Sequence, residues 1–87
     1  VPVTKPIRLS SHATGYVITR GFTLAEVEEA IRTSRWQPAD LGRLECNKEF
    51  AFGQIWNGKT YAWKRVRPIF VEKATEILVV TVYTYYF

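Results

Sequence analysis

The stretch Lys59–Phe87, KTYAWKRVRPIFVEKATEILVVTVYTYYF, constrains the fold more than any other part of the chain. It is dense in β-branched and aromatic residues, which suit a pleated, half-buried surface. The run is predicted as two long antiparallel strands, Lys59–Glu72 and Glu76–Tyr86, joined at Lys73-Ala74-Thr75. A three-residue turn sets Glu72 opposite Glu76 and pairs even-numbered residues with even-numbered ones. One face then collects Ala62, Val66, Pro68 and Phe70 with Leu78, Val80 and Val82. The other collects Tyr61, Trp63, Arg65 and Arg67 with Thr81, Tyr83 and Tyr85, and Ile69, Val71, Ile77 and Val79 lie near the turn. A one-residue slip would mix the two sets, which burial of one face normally forbids. Pro68 has no N–H to give a ladder, so a bulge or an edge is expected near it.

Upstream, the chain reads as helical. Residues 1–9 carry Pro2 and Pro6 and form an extended lead-in. Ser10 or Ser11 caps a helix predicted to run to Arg20, where Gly21 stops it in the left-handed conformation. His12, Tyr16 and Arg20 lie four residues apart and share one stripe of that helix. Thr23-Leu24-Ala25-Glu26 is a capping box, and Leu24, Val27, Ala30 and Ile31 recur as a buried stripe behind it. Pro38 ends this second helix, and the tight corner at Gly21–Thr23 makes the pair a helical hairpin. Asp40-Leu41-Gly42 marks a turn, Arg43–Phe52 a first strand, and Asn57-Gly58 a type I′ hairpin turn after Gln54-Ile55-Trp56. The expected fold is α+β: an N-terminal helical hairpin on one face of a three- to four-stranded antiparallel sheet.

Eighty-seven residues make one domain, 1–87, with one modest core. Three tryptophans, five tyrosines and five phenylalanines are enough both to fill that core and to line a surface. The net charge of +4 favours an anionic partner such as nucleic acid. Cys46 is the only cysteine and His12 the only histidine, which argues against a disulfide or a metal centre and for a reducing cytoplasm. No run approaches the ~20 apolar residues that span a bilayer. The opening VPVTKPIRLSS lacks the apolar centre of a signal peptide.

Several short motifs resemble a family of small bacterial proteins: Ser10-Ser11-His12-Ala13, Arg20-Gly21-Phe22-Thr23, Glu26-Val27 with Ala30-Ile31, Lys64-Arg65-Val66-Arg67 and Val79–Tyr83. That family is similar in layout to the RelE/ParE superfamily of toxins from toxin–antitoxin pairs, including its BrnT-like branch. The resemblance covers most of residues 8–87. It implies a RelE-like fold whose open sheet face cleaves messenger RNA without a metal or other cofactor. It also implies a cognate antitoxin that covers the basic face. The ParE-like branch implies instead a toxin that inhibits gyrase without cutting RNA.

Metal-independent RNA cleavage requires a proton carrier for the 2′-OH and the leaving oxygen, and a cation for the phosphate. Arginine meets phosphate with a two-pronged fork and keeps its charge, which makes Arg65 and Arg67 the leading candidates. Tyr83 on the same face and His12, a side chain that ordinarily titrates near neutrality, complete the catalytic set. Lys59, Tyr61, Trp63, Tyr85 and Arg20 are candidates for substrate binding, the aromatic ones by stacking on unpaired bases. Lys64 adds charge, although this register turns it to the opposite face. Glu45 and Glu49 serve as a base only if their strand faces the arginines. The same residues fit a solvated structural strand, a non-catalytic nucleic-acid-binding module or a protein-interaction domain. An open sheet edge offers a place for a second copy or an antitoxin strand.

Overall fold

A computed structural model of the chain describes residues 5–87. The architecture differs from the expected hairpin-on-antiparallel-sheet. Six strands form one mixed sheet: β1 (Ile7–Leu9), β2 (Gln37–Pro38), β3 (Leu44–Glu45), β4 (Lys48–Trp56), β5 (Lys59–Glu72) and β6 (Ile77–Tyr86). Their order is β1-β6-β5-β3-β2, with β4 also on β5, and β1 runs parallel to β6. The helices are short: α1 (Ser11–Thr14), α2 (Val17–Arg20) and α3 (Leu24–Thr33).

The expected helical hairpin and RelE-like layout fail at the first helix, which is two single turns broken at Gly15-Tyr16. Gly15 disfavours helix by about 1 kcal/mol relative to alanine, and four-residue turns hold no shape alone. The broken helix is fastened to the sheet edge instead. Ser10 Oγ accepts from the Ala13 N–H (3.1 Å) and donates to the Val80 carbonyl (2.9 Å), joining the α1 cap to β6. Residues 1–4 of the expected lead-in lie outside the described residues, and Ile7–Leu9 are tied down by pairing with Ile77–Val79.

The second helix follows its sequence signals closely. Thr23 Oγ1 accepts from the Glu26 N–H, and Glu26 Oε1 accepts from the Thr23 N–H, closing the capping box. Val27, Ala30 and Ile31 are buried, but Leu24 is exposed, and the residue before the cap, Phe22, fills the core in its place. A buried residue before the cap and another at the fourth helical position form the pair that fixes the chain's entry angle. These side chains, with Ala13, pack on Val66, Phe70, Ile77, Val79 and Val82 of the sheet.

The β5–β6 hairpin keeps the expected even-with-even pairing only away from its turn, and there it lies two residues out of the expected register, which put Pro68 opposite Val80 and Arg67 opposite Thr81. Pro68 faces Val82, Arg67 faces Tyr83 and Arg65 faces Tyr85. Near the turn, Glu72 faces Ile77 and Phe70 faces Val79, with a bulge at the next step. The loop is therefore one residue longer than expected, and the bulge on the β6 side restores the even-with-even pairing. That shift turns Ile77 and Val79, rather than Leu78 and Val80, into the core. It also separates the two glutamates: Lys5 holds Glu72 (3.1 Å) and Arg8 holds Glu76 (2.8 Å).

Pro68 accounts for a second irregularity. Leu44–Phe70, Glu45–Ile69 and Lys48–Val66 share one register, so β3 and β4 are a single strand interrupted at Cys46-Asn47. The interruption lies opposite Pro68, which accepts weakly from the Cys46 N–H (3.4 Å) and has no N–H to return. Further along, β4 bulges between Ala51 and Gln54, and Asn57 and Gly58 both take positive φ in the expected I′ turn.

Cys46 is buried, and burial followed by the Glu45 charge pushes its thiol up to about 12. The neutral thiol is the form the fold stabilises, so its contribution is full below the ordinary value of 9.0 and is lost as pH rises towards 12. At pH 8 the thiolate is then about a thousandfold scarcer than in the unfolded chain. Alkylation of the native protein at pH 8 is expected to be at least that much slower than in denaturant. Equal rates would show that this segment opens freely.

Candidate nucleic-acid interface

The helices cover one face of the sheet and leave the other to Arg65, Arg67, Tyr83 and Tyr85. Alternation along β5 and β6 places these four on the side opposite Val66, Pro68 and Val82. The side chains touch in series. Arg67 lies 5.8 Å from the Tyr83 ring and within 3.5 Å of the Tyr85 hydroxyl, and Arg65 lies 5.3 Å from the Phe87 ring. Trp63, half exposed, pairs with Phe87 through both backbone bonds and ends the series.

Arg20 brings the helical side chains to this strip. Its guanidinium reaches over the edge of β6, donating to the Val82 carbonyl (2.8 Å) and Thr81 Oγ1 (3.1 Å). It sits 3.7 Å above the Tyr16 ring and 5.0 Å from Tyr83. His12 meets Tyr16 edge-on at 4.9 Å. A continuous run of contacts therefore leads from His12 through Tyr16, Arg20 and Tyr83 to Arg67. The four-residue spacing of His12, Tyr16 and Arg20 was the sequence signal for half of it, and it survives the break in the helix. Tyr16 and Thr81 belong to the site although neither was among the expected site residues.

The corner carrying Arg20 is held from below. Thr84 Oγ1 and the Tyr86 hydroxyl donate to the Arg20 carbonyl, and Lys64 Nζ donates to the Gly21 carbonyl. Lys64 is 4% exposed and also pairs with Glu26 at 2.7 Å, on the helix side of the sheet. It is held there as a buried strut, on the face opposite the arginine–tyrosine strip. Burial, and after it the Glu26 charge, raises the Tyr86 phenol above its ordinary value, which keeps it a donor. Tyr61 packs on Tyr86 (5.7 Å), and Lys59 lies 5.4 Å from Tyr61 at the hairpin tip. Their contacts connect them to the Trp56–Tyr86 stack and not to the arginines.

The two strand arginines are not free cations. Arg65 donates to Glu49 at 2.6 Å, and Arg67 donates through Nε to Glu45 at 2.6 Å. Glu45 and Glu49 thus do face the arginines. The Tyr85 hydroxyl, and then Glu45, raise the Arg67 guanidinium above its already high ordinary value. Arg65 and Glu49 are both well exposed, so that pair is worth under about 1 kcal/mol.

Beside the strip lies a groove of about 730 Å³, walled by Asp40, Leu41 and Arg43 and floored by Arg67, Tyr83 and Tyr85. The sequence marked the Asp40-Leu41-Gly42 segment only as a turn. No helix among the described residues is long and apolar enough to cross a membrane. Comparison with family models, with curated proteins and with solved structures finds no match to this chain.

Proposed function

We propose that the chain is a metal-independent endoribonuclease that binds single-stranded RNA along the arginine–tyrosine strip. The contact run from His12 to Arg67 carries this reading, because it gathers a proton carrier, two phosphate-binding forks and a phenol around one surface. Arg20 and Arg67 neutralise the phosphate as the 2′-OH gives its proton to solvent water and its oxygen attacks phosphorus, Tyr83 lies between them, and His12 as imidazolium passes a proton to the departing 5′-oxygen. The bond from phosphorus to the 5′-oxygen breaks as that to the 2′-oxygen forms. The products are a 2′,3′-cyclic phosphate and a 5′-hydroxyl. Arg65, Tyr85, Trp63 and Phe87 extend the surface for neighbouring nucleotides. The Ser10–Ala13 and Arg20–Thr23 segments resemble a family of small bacterial proteins likened to such toxins, and from that resemblance, not from the fold, we add a toxin role with an antitoxin that masks this strip.

A second reading rests on the glutamates. Arg65 and Arg67 already paired with Glu49 and Glu45 suit a face that docks RNA without cutting it. Incubating the purified protein with single-stranded RNA in excess chelator separates the two. Fragments ending in cyclic phosphate are expected. Bound but intact RNA would leave the docking reading, and neither binding nor cleavage would remove RNA from the account.

A further inference from the structure

We propose that the groove between the Asp40–Arg43 segment and the tyrosines is a nucleobase subsite selective for guanine. The inference rests on the reading of this face as an RNA-binding surface and specifies what that surface reads.

The groove has two apolar sides at different levels. Tyr83 and Tyr85 form an exposed aromatic floor. Leu41 stands on the opposite rim, 85% exposed, with its backbone at φ 61. Leucine reaches this left-handed region only at a cost of roughly 1–2 kcal/mol. This conformation holds an apolar side chain in water at the groove, where a flat base laid between it and the tyrosines would cover it. The volume lies within the roughly 300–1,000 Å³ of small-molecule sites.

The polar groups decide which base. Neither Asp40 nor Arg43 has a side-chain hydrogen bond or ion pair among the described residues. Glu45, also at the groove, is occupied by Arg67. Asp40 is therefore the acceptor left to meet a base edge, and Arg43 the cation left for the adjoining phosphate. A carboxylate accepts only, through two parallel oxygens. The Watson–Crick edge of guanine offers two adjacent donors, N1–H and N2–H, and satisfies both. Cytosine and adenine each offer one amino donor beside a ring nitrogen that repels the second oxygen. Uracil sets its single N–H between two carbonyls. Unstacked bases present this edge in single strands, which matches an open groove and not a duplex site.

The test uses four short 2′-O-methyl oligoribonucleotides, identical except for one central G, A, C or U, which resist cleavage by 2′-oxygen attack. Binding is followed by fluorescence anisotropy at fixed salt with the full chain. The G oligonucleotide is expected to bind roughly tenfold more tightly than the other three. Asp40→Ala is expected to erase that preference while leaving the A, C and U affinities within about twofold. Tyr85→Ala is expected to weaken all four by roughly tenfold. Binding without base preference, a preference for cytosine, or a guanine preference that survives Asp40→Ala would each overturn the subsite and leave the RNA-binding face standing. Failure to bind any of the four would overturn the face and the subsite together. Asp40 is exposed, and thermal melts of the variants confirm that they fold.

Discussion

Arg20→Ala is expected to lower RNA cleavage by about two to three orders of magnitude, the loss that follows removal of one preorganised donor from a developing phosphate charge. The expectation comes from where the side chain is held, not from its charge alone. Its carbonyl is gripped by Thr84 and Tyr86, its guanidinium is tethered at Val82 and Thr81, and its plane lies on Tyr16. A flexible cation would lose entropy on meeting phosphate, and this one is already fixed. Arg20→Lys retains charge but cannot both stack on Tyr16 and bridge Val82 to Thr81, so it should recover only a small part of the rate. His12→Ala is expected to fall at least as far, by roughly 10²–10⁴-fold, because His12 is the one imidazole in the sequence to pass that proton. Arg65→Ala should cost less than tenfold, since its site is exposed and already neutralised by Glu49. Initial rates on one RNA, with melting temperatures for each variant, test the ranking. If Arg65→Ala were the most damaging of the four while Arg20→Ala kept near-normal rates, the reacting phosphate would have to lie at the far end of the strip.

That ranking reverses the one suggested by the sequence, and the reason is physical. Strand alternation reliably put Arg65 and Arg67 with the tyrosines, because period two is a local property. Which carboxylates would meet them depended on how β3 and β4 pair with β5, and the β4 bulge between Ala51 and Gln54 sets that register. Lys64 shows the same limit. Its direction was readable, yet its burial requires Glu26 and the Gly21 carbonyl to arrive from the helices. Local signals backed by a bond between near neighbours were legible: the Thr23–Glu26 box, the Asn57-Gly58 turn and the left-handed Gly21. The parallel β1 was not, since Ile7 finds Ile77 only after the whole chain has folded between them. The candidate site follows the same division. The stripe of His12, Tyr16 and Arg20 was visible, but its delivery onto Tyr83 was not. The groove wall was read as a turn because an exposed leucine at positive φ leaves no trace in composition.

Gly21 is where fold and site meet, and Gly21→Ala is expected to destabilise the protein by about 3 kcal/mol. Two costs add. The residue sits at φ 73, where a side chain is disfavoured by roughly 1–2 kcal/mol. A β-carbon there would also press on the Tyr86 hydroxyl and lie 2.6 Å from Trp56 Cζ3. Those rings are stacked at 4.9 Å and 17°, with Phe52 and Tyr61 against Tyr86, so they cannot both swing away cheaply. Overpacking of this kind costs roughly 1–3 kcal/mol. Gly58→Ala is the matched control, because Gly58 has φ 80 but nothing within 4 Å of its missing β-carbon. Urea unfolding of both variants isolates the packing cost as their difference, expected at about 2 kcal/mol. Equal losses would mean that the aromatic stack yields, and that the close approach of Gly21 is incidental. A larger loss at Gly21 should be accompanied by slower RNA cleavage in the protein that remains folded. The same displacement moves the carbonyls that Thr84, Tyr86 and Lys64 hold, and with them the guanidinium of Arg20.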